Sequence, residues 1–299
     1  MTTIKHHAEI DEKKSSRGDN QQVLVDEYFE TTSTYWEAIY NSTDLQSTIY
    51  KYRQAIALKL LDELGLPSQS KVLEIGSGAG VLTIAIARRG YRVTALDKVK
   101  AMKNLTEERA KSVGLSDYVN ITLEDVHDLS FQNETFDVGI ALGVLPWLHS
   151  PERAVREISR VLKQDGFLIV TVDNKWRLNH ILDPRLNPVI APLREFIKRI
   201  FVKLRLRDAK FIPSLPQMHS LGEIDSMFAS LGLEKIDGFT LGFGPFTFFG
   251  KKILPDRWGK KVNRFLQYLT DHHFPGIRST GSHYIIVAQR IVSKKNNSR

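Results

Sequence analysis

Residues 72–80 read Val-Leu-Glu-Ile-Gly-Ser-Gly-Ala-Gly, and this stretch decides the fold. It continues a short apolar segment, Lys71 to Ile75, that is typical of a buried parallel strand. The alternating glycines that follow carry no side chains, so a ligand can lie directly against the backbone. A helical pattern over Val81 to Arg89 comes next, and the free N–H groups at its N-terminus would face that ligand. The stretch therefore predicts a strand, turn and helix that bind a small molecule.

A second acidic residue lies where a doubly wound α/β fold binds a ribose. The segment Tyr91 to Leu96 predicts the second strand, and Asp97 follows it about 20 residues after the glycines, as in that fold. The glycine spacing differs from the G-x-G-x-x-G of NAD sites, and Glu74 just before it would repel a pyrophosphate. A ligand with an ammonium or sulfonium charge suits Glu74 better.

The motif Glu74 to Gly80 closely resembles the first motif of the class I S-adenosylmethionine (SAM) methyltransferases. The resemblance continues in order through Asp97, the turn Glu124 to Val126 and the strand Phe136 to Leu142, and it covers about residues 71–173. It implies SAM as the cofactor, with the glycine turn at the methionyl and ribose end, Asp97 at the ribose and Asp125 at adenine. The cofactor-binding residues it implies are Glu74, Gly76, Ser77, Gly78, Gly80, Asp97, Asp125, Val126 and Leu142, with Gly143 beside the last of them.

The alternation of strand and helix patterns predicts an α/β protein. We expect a Rossmann-like, seven-stranded, mostly parallel sheet with helices on both faces, an N-terminal helical cap and two insertions on the substrate side. The predicted strands are Lys71–Ile75, Tyr91–Leu96, Val119–Leu123, Phe136–Ala141, Gly166–Val172, Leu233–Leu241 and His283–Gln289.

The domain boundaries follow from changes in composition along the chain. We expect a disordered tail over 1–20, a helical cap over 21–66, a SAM-binding core over 67–173, and a basic amphipathic insertion over 174–219. The core resumes over 220–292 with a second insertion at 242–281, and 293–299 form another tail. The cap is rich in aromatic residues, which either cover the cofactor cleft or simply hold the cap helices on the core; they include Tyr28, Phe29, Tyr35, Trp36 and Tyr40.

The net charge of +8 is concentrated in one segment. Lys175 to Lys210 holds ten basic and three acidic residues. Within it, apolar residues at helical spacing alternate with Lys and Arg over 193–207. Such a basic amphipathic helix predicts binding to an anionic membrane surface, although its apolar stripe could instead dock on the core. A charge confined to one helix does not favour nucleic-acid binding, which uses a broad basic surface.

Composition and termini narrow the remaining classes of protein. Without cysteine the chain has no disulfide framework and no thiolate nucleophile. His272 and His273 lack further ligands at suitable spacing, so we expect no metal. The first twenty residues contain no apolar signal-peptide region, and no apolar run approaches about 18 residues. We expect a cytoplasmic protein that associates peripherally with membranes through residues 193–207.

These features predict a SAM-dependent methyltransferase that is similar to the quinone and sterol methylases. We expect methylation at O or C of a small apolar acceptor such as a lipid, a quinone or a polyketide-like molecule. The alternatives are a non-catalytic SAM-binding or interaction protein on the same fold, and an RNA or protein methyltransferase. The catalytic base is unknown. His149 is a candidate, but a helix-capping or surface role fits it as well, and Pro146 and Trp147 stand where related enzymes often have histidines.

Overall fold

The computed structural model describes residues 21–203 and 216–291, so the predicted tails lie outside the described residues. Three helices precede the sheet: α1 over 21–31, α2 over Ser33–Ala38 and α3 over Leu45–Glu63. Asp44 caps α3, because its carboxylate accepts a hydrogen bond of 2.7 Å from the backbone N–H of Ser47.

The remaining elements begin with the alternation of strands and helices that the sequence predicts. They are β1 (Lys71–Ile75), α4 (Val81–Ala87), β2 (Arg92–Asp97), α5 (Lys100–Ser112), β3 (Val119–Leu123), β4 (Phe136–Ala141), α6 (Pro151–Val161), β5 (Leu162–Asn174), α7 (Leu178–Leu182), α8 (Ala191–Lys203), β6 (Met218–His219), α9 (Leu221–Ser230), β7 (Leu233–Leu241), β8 (Thr247–Phe248), β9 (Lys251–Lys252), α10 (Asp256–Asp271) and β10 (His283–Arg290).

The main sheet has the strand order β3-β2-β1-β4-β5-β10-β7. The first five of these strands are parallel, and β10 runs antiparallel to both β5 and β7. The carboxyl ends of β1 to β5 therefore meet at one edge, where open α/β sheets bind their ligands. This confirms the predicted mostly parallel Rossmann-like sheet.

Helices cover both faces of the sheet, because successive strand residues point to opposite sides. Leu73 and Ile75 of β1 belong to a buried cluster with Ile158 of α6 and Phe228 of α9. Val72 between them belongs to a second cluster on the other face, with residues of α3 and α4. The result is a three-layer α/β/α arrangement.

The structure adds short strands that the sequence pattern does not reveal. Within 174–219, β6 pairs with the end of β5 and gives the main sheet an eighth strand, where seven are predicted. Within 242–281, β8 and β9 form a separate hairpin. Each of these strands has two residues, too few to show an alternating pattern.

Helix α8 contains most of the predicted amphipathic helix, but residues 204–207 of that prediction lie outside the described residues. Within residues 21–203 and 216–291, no helix combines the length and the apolar character needed to cross a bilayer.

Candidate functional site

A cavity of about 480 Å³ lies at the carboxyl edge of the parallel strands. One half is lined by the glycine turn after β1 and by residues at the ends of β2, β3 and β4. The other half is lined by aromatic side chains of α1 to α3 and by polar side chains from β5, α7 and β10. We call these the glycine half and the aromatic half.

The glycine turn depends on backbone that side chains disfavour. Gly76 and Gly78 have φ angles of +70° and +53°, in the left-handed region. A Cβ on Gly76 would lie 2.5 Å from Val144, whereas the space around Gly78 is open because it faces the cavity. Gly80 departs from its predicted role, since it does not line the cavity. It lets α4 approach α5, where a Cβ would meet Thr106 at 2.9 Å.

Asp97 lies partly buried at the end of β2, beside the glycine turn. Its carboxylate accepts hydrogen bonds of 3.0 Å from the backbone N–H groups of Gly78 and Val99. Burial raises the pKa of Asp97 to about 6, although these N–H groups oppose the change. Because a carboxylate has roughly four acceptor positions, about two remain for a ligand. Asp97 thus both holds the turn and offers acceptors to the cavity.

Asp125 and Val126 follow β3 and also line the glycine half. The carboxylate of Asp125 lies 2.6 Å from Nδ1 of His127 and 2.9 Å from Nζ of Lys98. The hydrogen bond from His127, followed by that from Lys98, lowers the pKa of Asp125 far below its usual range. Asp125 is therefore ionised and fixed in position.

Glu74 does not present a free negative charge. Its side chain is buried, and the hydroxyl of Thr83 donates a 2.5 Å hydrogen bond to it. Burial raises the pKa of Glu74 to about 8, so the carboxyl group is mostly protonated at neutral pH. The sequence predicts a negative charge at Glu74, whereas the structure indicates a neutral carboxyl group that would ionise when a cation enters the cavity.

We expect the buried Glu74 to make stability depend on pH. The pKa of Glu74 is about 8 in the folded chain, against an ordinary 4.5. Its contribution to the free energy of unfolding is therefore fully present below the ordinary pKa and is lost as the pH rises through the folded pKa. The contribution is on the order of a few kcal/mol. Thermal melts should show the wild type losing more stability than Glu74→Gln between about pH 5 and about pH 8. Parallel curves would contradict the assignment.

Leu142 and Gly143, at the end of β4, line the cavity, but His149 does not. The ring of His149 packs on that of His127 at 4.0 Å, and its backbone N–H donates to Gln22 of α1. This places His149 in the contact between the N-terminal helices and the turn after β3. The cavity gives no support to a catalytic role for it.

The aromatic half is walled by rings in mutual contact. Trp147 stacks on Tyr28 with centroids 5.8 Å apart and meets Phe29 edge-on at 5.2 Å. Trp36 joins Phe29 to Tyr50, whose ring lies 6.0 Å from that of His283. A flat or extended apolar molecule would pack well against such rings.

The comparisons with known proteins match this chain to methyltransferases. A family model described as a methyltransferase domain matches residues 73–170. A sterol 4-C-methyltransferase of Caenorhabditis elegans is 25% identical over 181 residues, which are 57% of this chain and 53% of that protein. A ubiquinone biosynthesis O-methyltransferase of Actinobacillus pleuropneumoniae serotype 5b is 32% identical over 108 residues, which are 35% of this chain and 46% of that protein. The chain spans about half the length of these two relatives.

A solved structure shows the same fold. Magnesium protoporphyrin IX methyltransferase from Synechocystis PCC 6803, with bound S-adenosylhomocysteine (SAH), superposes with a TM-score of 0.58 and 15% identity. The match covers 90% of this chain and 99% of that one. Residues 73–170 match a methyltransferase domain, and the chain has the fold of the class I SAM-dependent methyltransferases. SAM is the cofactor that these findings support for the domain.

The structure adds polar residues of the cavity that the sequence interpretation missed. Four of them line the aromatic half: Arg53 of α3, Asp173 of β5, Arg177 just before α7, and His283 of β10. Asp173 could have been noticed, because it directly follows the predicted strand Gly166–Val172 at the ligand-binding edge. Arg53, Arg177 and His283 belong to no local sequence pattern that indicates a binding site. His283, for instance, reaches the site only because β10 inserts antiparallel beside β5.

Proposed function

We propose that this protein transfers the methyl group of SAM to an oxygen or carbon atom of a small acceptor with a large apolar part, such as a lipid, a quinone or a polyketide-like molecule. The observation that carries the proposal is a cavity whose two halves differ in their lining, one of glycine backbone and carboxylates and one of aromatic rings. A sulfonium methyl group is already activated, so the chain's task is to hold the acceptor atom in line with it and to exclude water.

The cofactor would occupy the glycine half. Its methionyl and ribose parts lie against Gly76, Ser77 and Gly78, its ribose hydroxyls donate to Asp97, and its adenine meets the turn after β3. In this proposal Leu142 and Val126 supply apolar contacts, since both line the cavity. Glu74 faces the cationic part of SAM and ionises as it binds. Gly80 supports the turn from behind.

The acceptor would occupy the aromatic half, where the rings of the N-terminal helices exclude water from the methyl group. A panel of apolar acceptors, incubated with methyl-labelled SAM, tests this assignment by transfer of label. The proposal expects transfer to acceptors with rings or chains, and no transfer to small polar amines or amino acids. Transfer confined to a polar metabolite or to RNA would contradict it.

We further propose that α8 binds an anionic membrane surface, from which an apolar acceptor could be taken. The apolar side chains that the structure describes on its outer face are exposed and not docked on the core: Leu193 is 59% exposed and Phe196 is 62% exposed. The tip of the β8–β9 hairpin, Phe248 and Phe249, is also exposed and is followed by Lys251 and Lys252. Apolar side chains flanked by cations are typical of membrane-surface binding.

The hairpin tip lies close to the segment that leads into α8. The carboxylate of Asp183, just after α7, accepts hydrogen bonds of 2.7 Å from the Thr247 hydroxyl and 2.9 Å from the backbone N–H of Gly250. These contacts fix the hairpin against the residues that lead into α8, and we propose that both apolar elements meet one membrane surface.

Replacing Phe196 and Ile200 together by serine should weaken binding to anionic vesicles by about tenfold or more, because each side chain buries apolar area in the interface. Co-sedimentation with phosphatidylserine vesicles measures this, and thermal melts should be unchanged because both side chains are exposed. Ile236→Ser, an equally exposed change on β7, is the control and should bind like wild type. Wild-type protein that stays in solution with these vesicles would contradict the proposal.

A further inference from the structure

One carboxylate that lines the cavity has no hydrogen-bond partner among the residues that the structure describes. Six carboxylates line the cavity, and five of them have a partner within 3.2 Å in the described part of the chain: Asp26, Glu74, Asp97, Glu124 and Asp125. The sixth, Asp173, has no such partner among the described residues. Its nearest cationic neighbours are Nη2 of Arg177 at 3.5 Å and Nε2 of His283 at 3.6 Å.

Asp173 is positioned at the reacting edge of the sheet. It lies near the carboxyl end of β5, which runs parallel to β4 and so ends beside Leu142 and Gly143. The side chain is only 15% exposed, and what is exposed faces the cavity. Buried polar groups are nearly always hydrogen-bonded, so open acceptor positions on a buried carboxylate indicate a missing donor.

We propose that Asp173 accepts the proton of an acidic hydroxyl group, a phenol or an enol, on the acceptor, and that the domain methylates this oxygen. The proposal rests on the proposed function and narrows it to O-methylation. The donor missing from Asp173 is then the hydroxyl group of the acceptor itself, whose ring or chain lies against the aromatic wall.

The step balances without another reactant. The acceptor oxygen forms a bond to the methyl carbon while the bond from that carbon to sulfur breaks, and its electron pair stays on sulfur. The sulfonium becomes the neutral thioether of SAH, and the hydroxyl proton moves to the carboxylate of Asp173. The guanidinium groups of Arg53 and Arg177, in the same half of the cavity, stabilise negative charge that develops on the oxygen.

The surroundings of Asp173 make it a stronger base than an exposed aspartate. Burial raises the pKa of Asp173, and the nearby charges of Arg177 and Arg53 only partly oppose this. His283 and His219 also face it, and burial lowers the pKa of both imidazoles, so they are neutral at neutral pH. An acceptor that is itself a carboxylate fits poorly, because it would face the like charge of Asp173.

Binding of a matched pair of probes tests the proposal. With the protein saturated with SAH, 1-naphthol should bind about tenfold or more tightly than 1-methoxynaphthalene, since only the naphthol can donate to a carboxylate. In Asp173→Asn this preference should largely disappear. Asp26→Asn removes a carboxylate from the same cavity that is already bonded to Gln22, and it should keep the wild-type preference.

A pH series provides a second measurement, and its wild-type arm does not depend on the folding of Asp173→Asn. The preference of the wild type for 1-naphthol should fall as pH is lowered and Asp173 is protonated. In Asp173→Asn, which keeps His219 and His283, any preference should be independent of pH. These trends separate a proton-accepting carboxylate from a residue that only shapes the cavity.

Three results would overturn the proposal. They are equal wild-type affinities for the two probes, a full preference retained in Asp173→Asn, and tighter binding of 1-naphthoate than of 1-naphthol. The last result would mean that the two arginines recognise an anion. Calorimetric binding of SAH alone is measured first, because its absence would contradict the proposed function rather than the role of Asp173.

Discussion

Gly78→Val should abolish measurable SAM binding. A β-branched side chain is strained at the φ of +53° that Gly78 adopts, and its methyl groups would point into open cavity space assigned to the cofactor. The backbone N–H of Gly78 also holds Asp97, so a shift of the turn would displace the ribose-binding carboxylate as well. Calorimetric titration with SAM measures the loss, which we expect to exceed about a hundredfold.

Gly114→Val is a matched control for this change. Gly114 has a φ of +69° and open space around it, but it lies in an exposed turn after α5, away from the cavity. Both variants should lose stability through the same backbone strain, so their thermal melts should shift similarly. Only Gly78→Val should lose the ability to bind SAM. Equal affinities in the two variants would remove the glycine turn from the binding site.

Asp97→Ala should weaken SAM binding by about 1–3 kcal/mol, which is a loss of roughly fivefold to 150-fold. The variant removes the acceptors proposed for the ribose hydroxyls and also releases the N–H groups of Gly78 and Val99. Titration with 5′-methylthioadenosine, which keeps the ribose but lacks the amino acid part, should show a similar loss.

Asp237→Ala provides the control for Asp97→Ala, since Asp237 is an exposed carboxylate on β7. It should bind SAM like the wild type. Wild-type affinity in Asp97→Ala would mean that the ribose lies elsewhere.

The part of the site that the sequence predicts is the part built from short local patterns. Gly76, Gly78 and Asp97 occur at fixed distances from two predicted strands, and parallel strands bring their carboxyl ends to one edge. Local spacing therefore sufficed to place the turn and the acid together. It did not reveal that Glu74 is buried and bonded to Thr83, because that depends on how α4 packs.

The aromatic half depends on contacts between distant parts of the chain. The aromatic residues Tyr28 and Phe29 are conspicuous in the sequence, but their contact with Trp147 arises only when α1 packs beside the residues that follow β4. His283 and Asp173 are paired in register by antiparallel strands 110 positions apart. No local pattern encodes such a pairing, so the sequence alone does not place His283 in the site.

The amphipathic pattern of α8 predicted a helix and left open what its apolar face contacts. Periodicity is the same for a stripe that docks on the core and for one that faces a membrane. Only tertiary structure distinguishes them, and the exposure of Phe196 excludes docking of that side chain on the core.

A crystal structure of the protein with SAH tests the central claim most directly. The account predicts adenine beside Asp125 and Val126, the ribose hydroxyls within hydrogen-bond distance of Asp97, and the sulfur atom directed toward the aromatic half that holds Asp173. SAH bound outside this cavity, or bound with its sulfur directed away from the aromatic rings, would contradict it.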